Sequence, residues 1–175
     1  LSVTAAAATT FTLTNRTVNA AGNINFTNLD TFTATGSTFI FDGTTSLSSA
    51  GYSFVNVELG TATGGGSLST ADAMEVNGTF IINNGGATTL DITADTLTIA
   101  GDLDLTNLDT FTVTGSTVAF DGATTLTSVS YPLNNMQIGT GTAGGSLTLA
   151  DNLDINGALS VTAAAATTFT LTNRT

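Results

Sequence analysis

The side chains able to do chemistry in this chain are few. The densest group is the stretch GDLDLTNLD at 101–109, which carries Asp102, Asp104 and Asp109. Closely spaced carboxylates are oxygen donors of the kind Ca²⁺ takes, so these three are the candidate metal ligands, and Ca²⁺ is the one candidate cofactor. The equivalent positions elsewhere in the chain are Asn23, Asn25 and Asp30, so the other reading is acids solvated on the outer face of a strand. The remaining inventory excludes more than it offers. The 175 residues hold 2 Lys+Arg against 13 Asp+Glu, a net charge of −11, and no His, Cys or Trp. Without His or Cys there is no Ser-His-Asp or Cys-His nucleophile, no imidazole or thiolate zinc site and no disulfide. The cations are Arg16 and Arg174 alone, too few to track a phosphate backbone. Carboxylate pairs for glycoside hydrolysis require a cleft with shifted pKa values, and nothing in the sequence specifies one. The expectation is a protein with no catalytic activity, no small-molecule substrate and no nucleic-acid partner.

Hydroxyls are the second chemical resource. Thr makes up about a fifth of the residues, whereas average chains are led by Leu, Ala and Gly. Thr12-Leu-Thr14, Thr33-Ala-Thr35, Thr96-Leu-Thr98 and Thr112-Val-Thr114 each place two hydroxyls on one side of a strand. Stacked ranks of such pairs would suit an ice or polysaccharide surface. The motifs do not recur at one constant spacing, and the intervening residue is apolar, so ordinary strand Thr of high β-propensity is the competing reading. Asn15, Asn25, Asn77 and Asn173 begin Asn-x-Thr sequons. Tyr52 and Tyr131 are read as residues at the edge of a core.

The elements that must carry these groups repeat. Residues 1–17 and 159–175 are identical, LSVTAAAATTFTLTNRT, which sets a period of 158 residues. A diverged half-period lies inside it, since AGNINFTNLDTFTATGSTFIFDG at 21–43 matches AGDLDLTNLDTFTVTGSTVAFDG at 100–122 with an offset of 79. The match continues through Tyr52 and Tyr131, GGSL at 65–68 and 144–147, and Ala71-Asp72 and Ala150-Asp151. The chain therefore divides into 1–20, the end of a preceding copy, 21–99, copy A, and 100–175, copy B. It begins with Leu and ends within the pattern, and it reads as a window on something longer. A site present in one copy has to be explained in both.

Within each copy apolar and polar residues alternate with period two, as in TLTIAGDLDL at 96–105, and Gly, Asn-Gly, Asp-Gly or Ala-Asp corners interrupt the runs. That is a strand pattern with turn punctuation. Helix caps and a 3.6-residue period are missing. The composition is not that of a disordered acidic chain, because 41% of residues are hydrophobic, with 10 Phe and a single Pro at 132. No apolar run reaches the ~18 residues of a membrane-spanning helix. Two folds fit short strands with this period, a string of small antiparallel sandwiches and a parallel β-solenoid. Corners about every 19–20 residues, light core residues and uncharged faces able to stack on themselves favour the solenoid. It should have about four rungs per copy. Eight rungs at the ~4.8 Å strand spacing give an axial repeat of about 38 Å.

The order GSTVAFDG, NNMQIG, GGSLTLADNLDINGALSV resembles the tandem β-strand repeats of very large bacterial surface and secreted proteins. These include filamentous-haemagglutinin-like and autotransporter-adhesin-like solenoids. The resemblance implies an extracellular or cell-surface location, an elongated structural or adhesive role and no catalytic residues. The expected function is a stiff filament, sheath or stalk that associates with itself and does not insert in membranes. The alternatives are an adhesin stalk presenting a tip domain, or an ice- or polysaccharide-binding face. Arg16, Asp95 and Arg174 share one position of the 79-residue copy, so Arg and Asp alternate along the array. Two solenoids shifted by one copy would set each Arg opposite an Asp, which makes these three the candidate contacts between fibres.

Overall fold

The computed structural model describes residues 8–162 and 165–171. Every regular element in them is a strand, and every strand pairing is parallel. Such short period-two runs cannot stand alone, and they persist because each pairs with a strand one turn below, one turn above or both. The chain coils through three faces in strict rotation.

The first face carries β1 (Thr10–Thr14), β4 (Thr31–Thr35), β7 (Ser53–Phe54), β10 (Met74–Val76), β13 (Thr96–Ile99), β16 (Thr117–Phe120), β18 (Asn135–Ile138) and β20 (Leu159–Val161). The second carries β2 (Thr17–Ala20), β5 (Thr38–Phe41), β8 (Asn56–Leu59), β11 (Phe80–Ile82), β14 (Leu103–Asp104), β17 (Ala123–Thr127), β19 (Ser146–Leu149) and β21 (Thr168–Thr170). The third carries β3 (Ile24–Asn25), β6 (Thr44–Ser48), β9 (Gly66–Thr70), β12 (Thr88–Asp91) and β15 (Thr110–Thr112), and a bridge from Leu133 to Ile155 extends it. The fold is thus the parallel β-solenoid expected from the sequence, with about seven turns. On the first face β1 and β4 pair with each other and the six strands from β7 onward pair among themselves. Phe32 packs on Phe54 with ring centroids 5.8 Å apart, which joins the two sets.

The length of a turn varies. It is shortest where Thr38 pairs with Asn56, and longest at steps such as that from Ile24 to Leu47. Most turns consume slightly more chain than the corner spacing in the sequence suggests. With three elements per turn, β1 through β6 recur in the next copy as β12 through β17, eleven elements on. The expected four rungs per copy resolve into three and two-thirds turns. Because that count is fractional, β5 lies on the second face and its repeat β16 on the first, while β4 lies on the first and its repeat β15 on the third. Each copy is rotated by one face relative to the last. At ~4.8 Å per turn the full double-copy repeat rises about 35 Å, against the ~38 Å from eight whole rungs.

In the strands before β20, alternate side chains point inward and form one continuous apolar column, while Leu159 and Val161 of β20 are exposed. Phe26, Phe39, Phe41, Phe54 and Phe120 are fully enclosed. In the lower turns the column is aromatic, with Phe26 and Phe32 at 4.9 Å and Phe39 and Phe54 at 5.0 Å between centroids. The repeats of Phe26, Phe39 and Phe54 are Leu105, Val118 and Leu133, so copy B fills much of the same tube with aliphatic side chains while keeping Phe111 and Phe120. Tyr52 and Tyr131 sit at the rim of the core and each donates its hydroxyl to a carbonyl of the turn below, that of Leu29 at 2.6 Å and of Leu108 at 2.8 Å.

Candidate functional surfaces

Acidic and amide side chains gather at or beside the corners between faces, where the chain bends and backbone N–H groups lose their ladder partners. Asp72 takes the N–H of Ser49 on Oδ1 at 2.7 Å and that of Ala50 on Oδ2 at 2.9 Å. Its repeat Asp151 takes Ser128 N–H at 2.9 Å and Val129 N–H at 2.5 Å. Both carboxylates thereby pin a turn in which Ala50 (φ 56°) or Val129 (φ 45°) adopts the left-handed region. Asp30 and Asp109 repeat the device toward Thr9 N–H at 2.6 Å and Thr88 N–H at 2.8 Å.

The three candidate Ca²⁺ ligands are divided among such tasks. Asp102 Oδ1 accepts from Thr125 N–H at 2.7 Å on the turn above, Asp104 Oδ1 from Thr106 N–H at 2.9 Å within its own turn, and Asp109 from Thr88 on the turn below. The substitutions between copies follow from this. Asn23 Oδ1 accepts from Ser46 N–H at 2.9 Å and Asn25 Oδ1 from Thr27 N–H at 2.9 Å, the same bonds with one neutral acceptor. What both copies need is an acceptor, which Asp and Asn supply alike. Asp102 and Asp104 share the wall of a shallow depression with Ile81 and Asn107. Among the described residues no three Asp, Glu, His or Cys side chains gather closely enough to hold a metal ion.

Asp42 and its repeat Asp121 are different. Each has an enclosed Oδ1 with no hydrogen-bond partner. At Asp121 burial pushes the carboxyl above the ordinary Asp value, and a hydrogen bond from its own backbone opposes the shift. Sequence reasoning passed over this pair and over Asp72 and Asp151, although all four recur with the same offset of 79. The recurrence was the signal that could have found them.

The hydroxyls do form ranks. Thr33-Ala-Thr35 lies directly over Thr12-Leu-Thr14, with Thr31 over Thr10, and all six threonines face solvent. On the third face Thr44, Ser67, Thr89 and Thr110 stack in one column, and Ser46, Ser69, Asp91 and Thr112 in the next. The irregular spacing of the motifs in the sequence does not prevent stacking, because turns of different length still meet in register when the extra residues are taken up at corners.

Arg16 is exposed at the corner between the first and second faces, directly after Asn15 (φ 51°). Asp95 follows Ala94 (φ 62°) at the corner between the third and first faces. The two are alike locally, since Thr38 N–H reaches Arg16 O and Thr117 N–H reaches Asp95 O, both at 2.9 Å. They do not share an edge of the molecule. Arg174 lies outside the described residues.

These features define a class by fold, a three-sided parallel β-solenoid whose corner carboxylates and amides cap the backbone and whose faces are hydroxyl-rich. No protein-family model, curated protein or solved structure matches the chain.

Proposed function

We propose that the protein is a structural repeat element of a stiff extracellular or cell-surface filament, sheath or stalk, acting through shape and not through catalysis. The observation that carries this reading is the junction between repeats. β21 is the recurrence of β1 one full double-copy repeat later, and it pairs in parallel register with β19, Ser146 with Thr168 through Thr148 with Thr170. The start of a new repeat is therefore one more rung, and hydrogen bonding across the junction is the same as inside the repeat. A ladder without a weak junction resists bending and adds stability with every turn. The test is electron microscopy and fibre diffraction of the assembled protein. Unbranched filaments with a strong axial reflection near ~4.8 Å are expected, and globular particles without it would refute the reading. A distinct non-repeat tip in the full-length chain would specify a stalk, and an all-repeat chain a fibre.

The hydroxyl columns of the third face favour a second reading, a flat surface that binds ice or an insoluble polysaccharide. Thermal hysteresis and co-sedimentation with polysaccharide test it, and substitution of Thr89 and Thr110 by Lys should abolish either signal.

A further inference from the structure

Among the described residues Arg16 is the one cationic side chain, on a molecule of net charge −11. The faces carry acids outward, Glu75 on the first, Glu58, Asp102 and Asp104 on the second, and Asp91 on the third. Like charges oppose face-to-face contact between copies. The corner with Arg16 is where a second copy meets opposite charge.

We propose that neighbouring solenoids associate corner to corner, Arg16 of one against Asp95 of the next, in a trigonal bundle whose members are staggered by one copy of the repeat. The proposal rests on the filament reading. Within one molecule the two residues are three and two-thirds turns apart, about 18 Å at the strand spacing, beyond the ~8 Å screening length of physiological salt. They also occupy different corners, so no axial shift alone superposes them. The shift expected from sequence has to be accompanied by a rotation of one face.

Three-sided columns in a common orientation provide that rotation. Where three of them meet, the corner between first and second faces of one column touches the corner between third and first faces of another. A stagger of about 18 Å then brings Arg16 level with Asp95. Asp95 is half-buried and held in place, its Oδ2 accepting from Thr70 Oγ1 at 2.7 Å. Arg16 is anchored through its backbone, its N–H donating to Ser37 Oγ at 3.1 Å, while its side chain is in solvent. A single exposed ion pair is weak. Repetition at every third copy along each line of contact in a long array, and at all three corners of a column, makes it effective.

Thr14 and Thr93 are exposed and stand two residues before Arg16 and Asp95, so a cysteine at each reports the contact while leaving both charged side chains in place. Thr14→Cys and Thr93→Cys proteins are mixed at about 0.15 M salt, where repulsion beyond ~8 Å is screened, and treated with a short thiol cross-linker. The heterologous 14–93 product should exceed both 14–14 and 93–93 products. It should be lost when Arg16→Asp is added to both proteins, and should return with the exchange Arg16→Asp plus Asp95→Arg. Equal homologous products, a yield indifferent to Arg16→Asp, or no intermolecular product overturns the proposal. Filaments seen by microscopy without the 14–93 product would remove the corner contact and keep the filament reading. The 14–93 product without filaments would do the reverse.

Discussion

A carboxylate that ties two N–H groups of a turn contributes more than one on open surface, and Asp72 and Asp151 do this in both copies. Asp72→Ala strands the Ser49 and Ala50 donors and should cost about 2 kcal/mol in a urea titration. Asp102→Asn reproduces what Asn23 already does and should stay within about 0.5 kcal/mol of wild type. A metal ligand would behave otherwise, with Asp102→Asn abolishing a Ca²⁺-dependent rise in melting temperature. Asp121 gives the opposite sign of pH dependence from an ordinary capped carboxylate. Burial raises its folded-state pKa, so the stability tied to its neutral form is present below the unfolded value and lost as pH rises through the folded one. Asp121→Asn, permanently neutral, should therefore melt above wild type at pH 7, and the difference should close as both are titrated toward pH ~4. A constant difference across that range would assign the effect to something other than ionisation.

Strands of this length hold their register through their corners, and several corners stack backbone on backbone. A Cβ on Gly65 would lie 1.9 Å from the carbonyl oxygen of Ala87 on the turn above. The repeat of Gly65 is Gly144, where a Cβ would meet the Ala166 carbonyl at 2.3 Å. Neither site has room for a methyl group, so Gly65→Ala must push two loops apart. A loss of about 1–3 kcal/mol is expected. Amide exchange should quicken at Gly66 and Ser67, whose N–H groups donate to Ala87 O and Gly43 O, before it quickens at β16. Uniform quickening would show that the solenoid opens as one unit instead of turn by turn.

At the scale of the molecule the governing relation is eleven elements per copy on a three-sided coil. Image reconstruction of filaments should converge on a rise of about 18 Å and a rotation of one third of a turn per copy. A reconstruction in which successive copies stack on the same face, with no rotation, would contradict the register of β4 and β15. The rotation also means that any patch on one copy, the threonines of β1 and β4 for instance, recurs on each face in succession. A long array therefore has no preferred side.

The parallel coil was legible in the residues, because inward apolar positions such as Leu97, Ile99, Leu103 and Leu105 alternate with polar ones and Gly or Asp marks each corner. The two-copy repeat and the edge positions of Tyr52 and Tyr131 were legible for the same local reason. Local pattern says which way a side chain points, but not how much chain one turn consumes. That depends on what each corner absorbs, little between Thr38 and its partner Asn56 and more between Ile24 and its partner Leu47, and only the packed coil settles it. The one-face rotation, the stacking of the Thr pairs and the separation of Arg16 from Asp95 all follow from that length. The tertiary structure likewise decided the work of the Asp-rich stretch. Asp102 and Asp109 are close in sequence, yet they cap backbone one turn above and one turn below, because the coil stacks a corner donor of a different turn beside each of them.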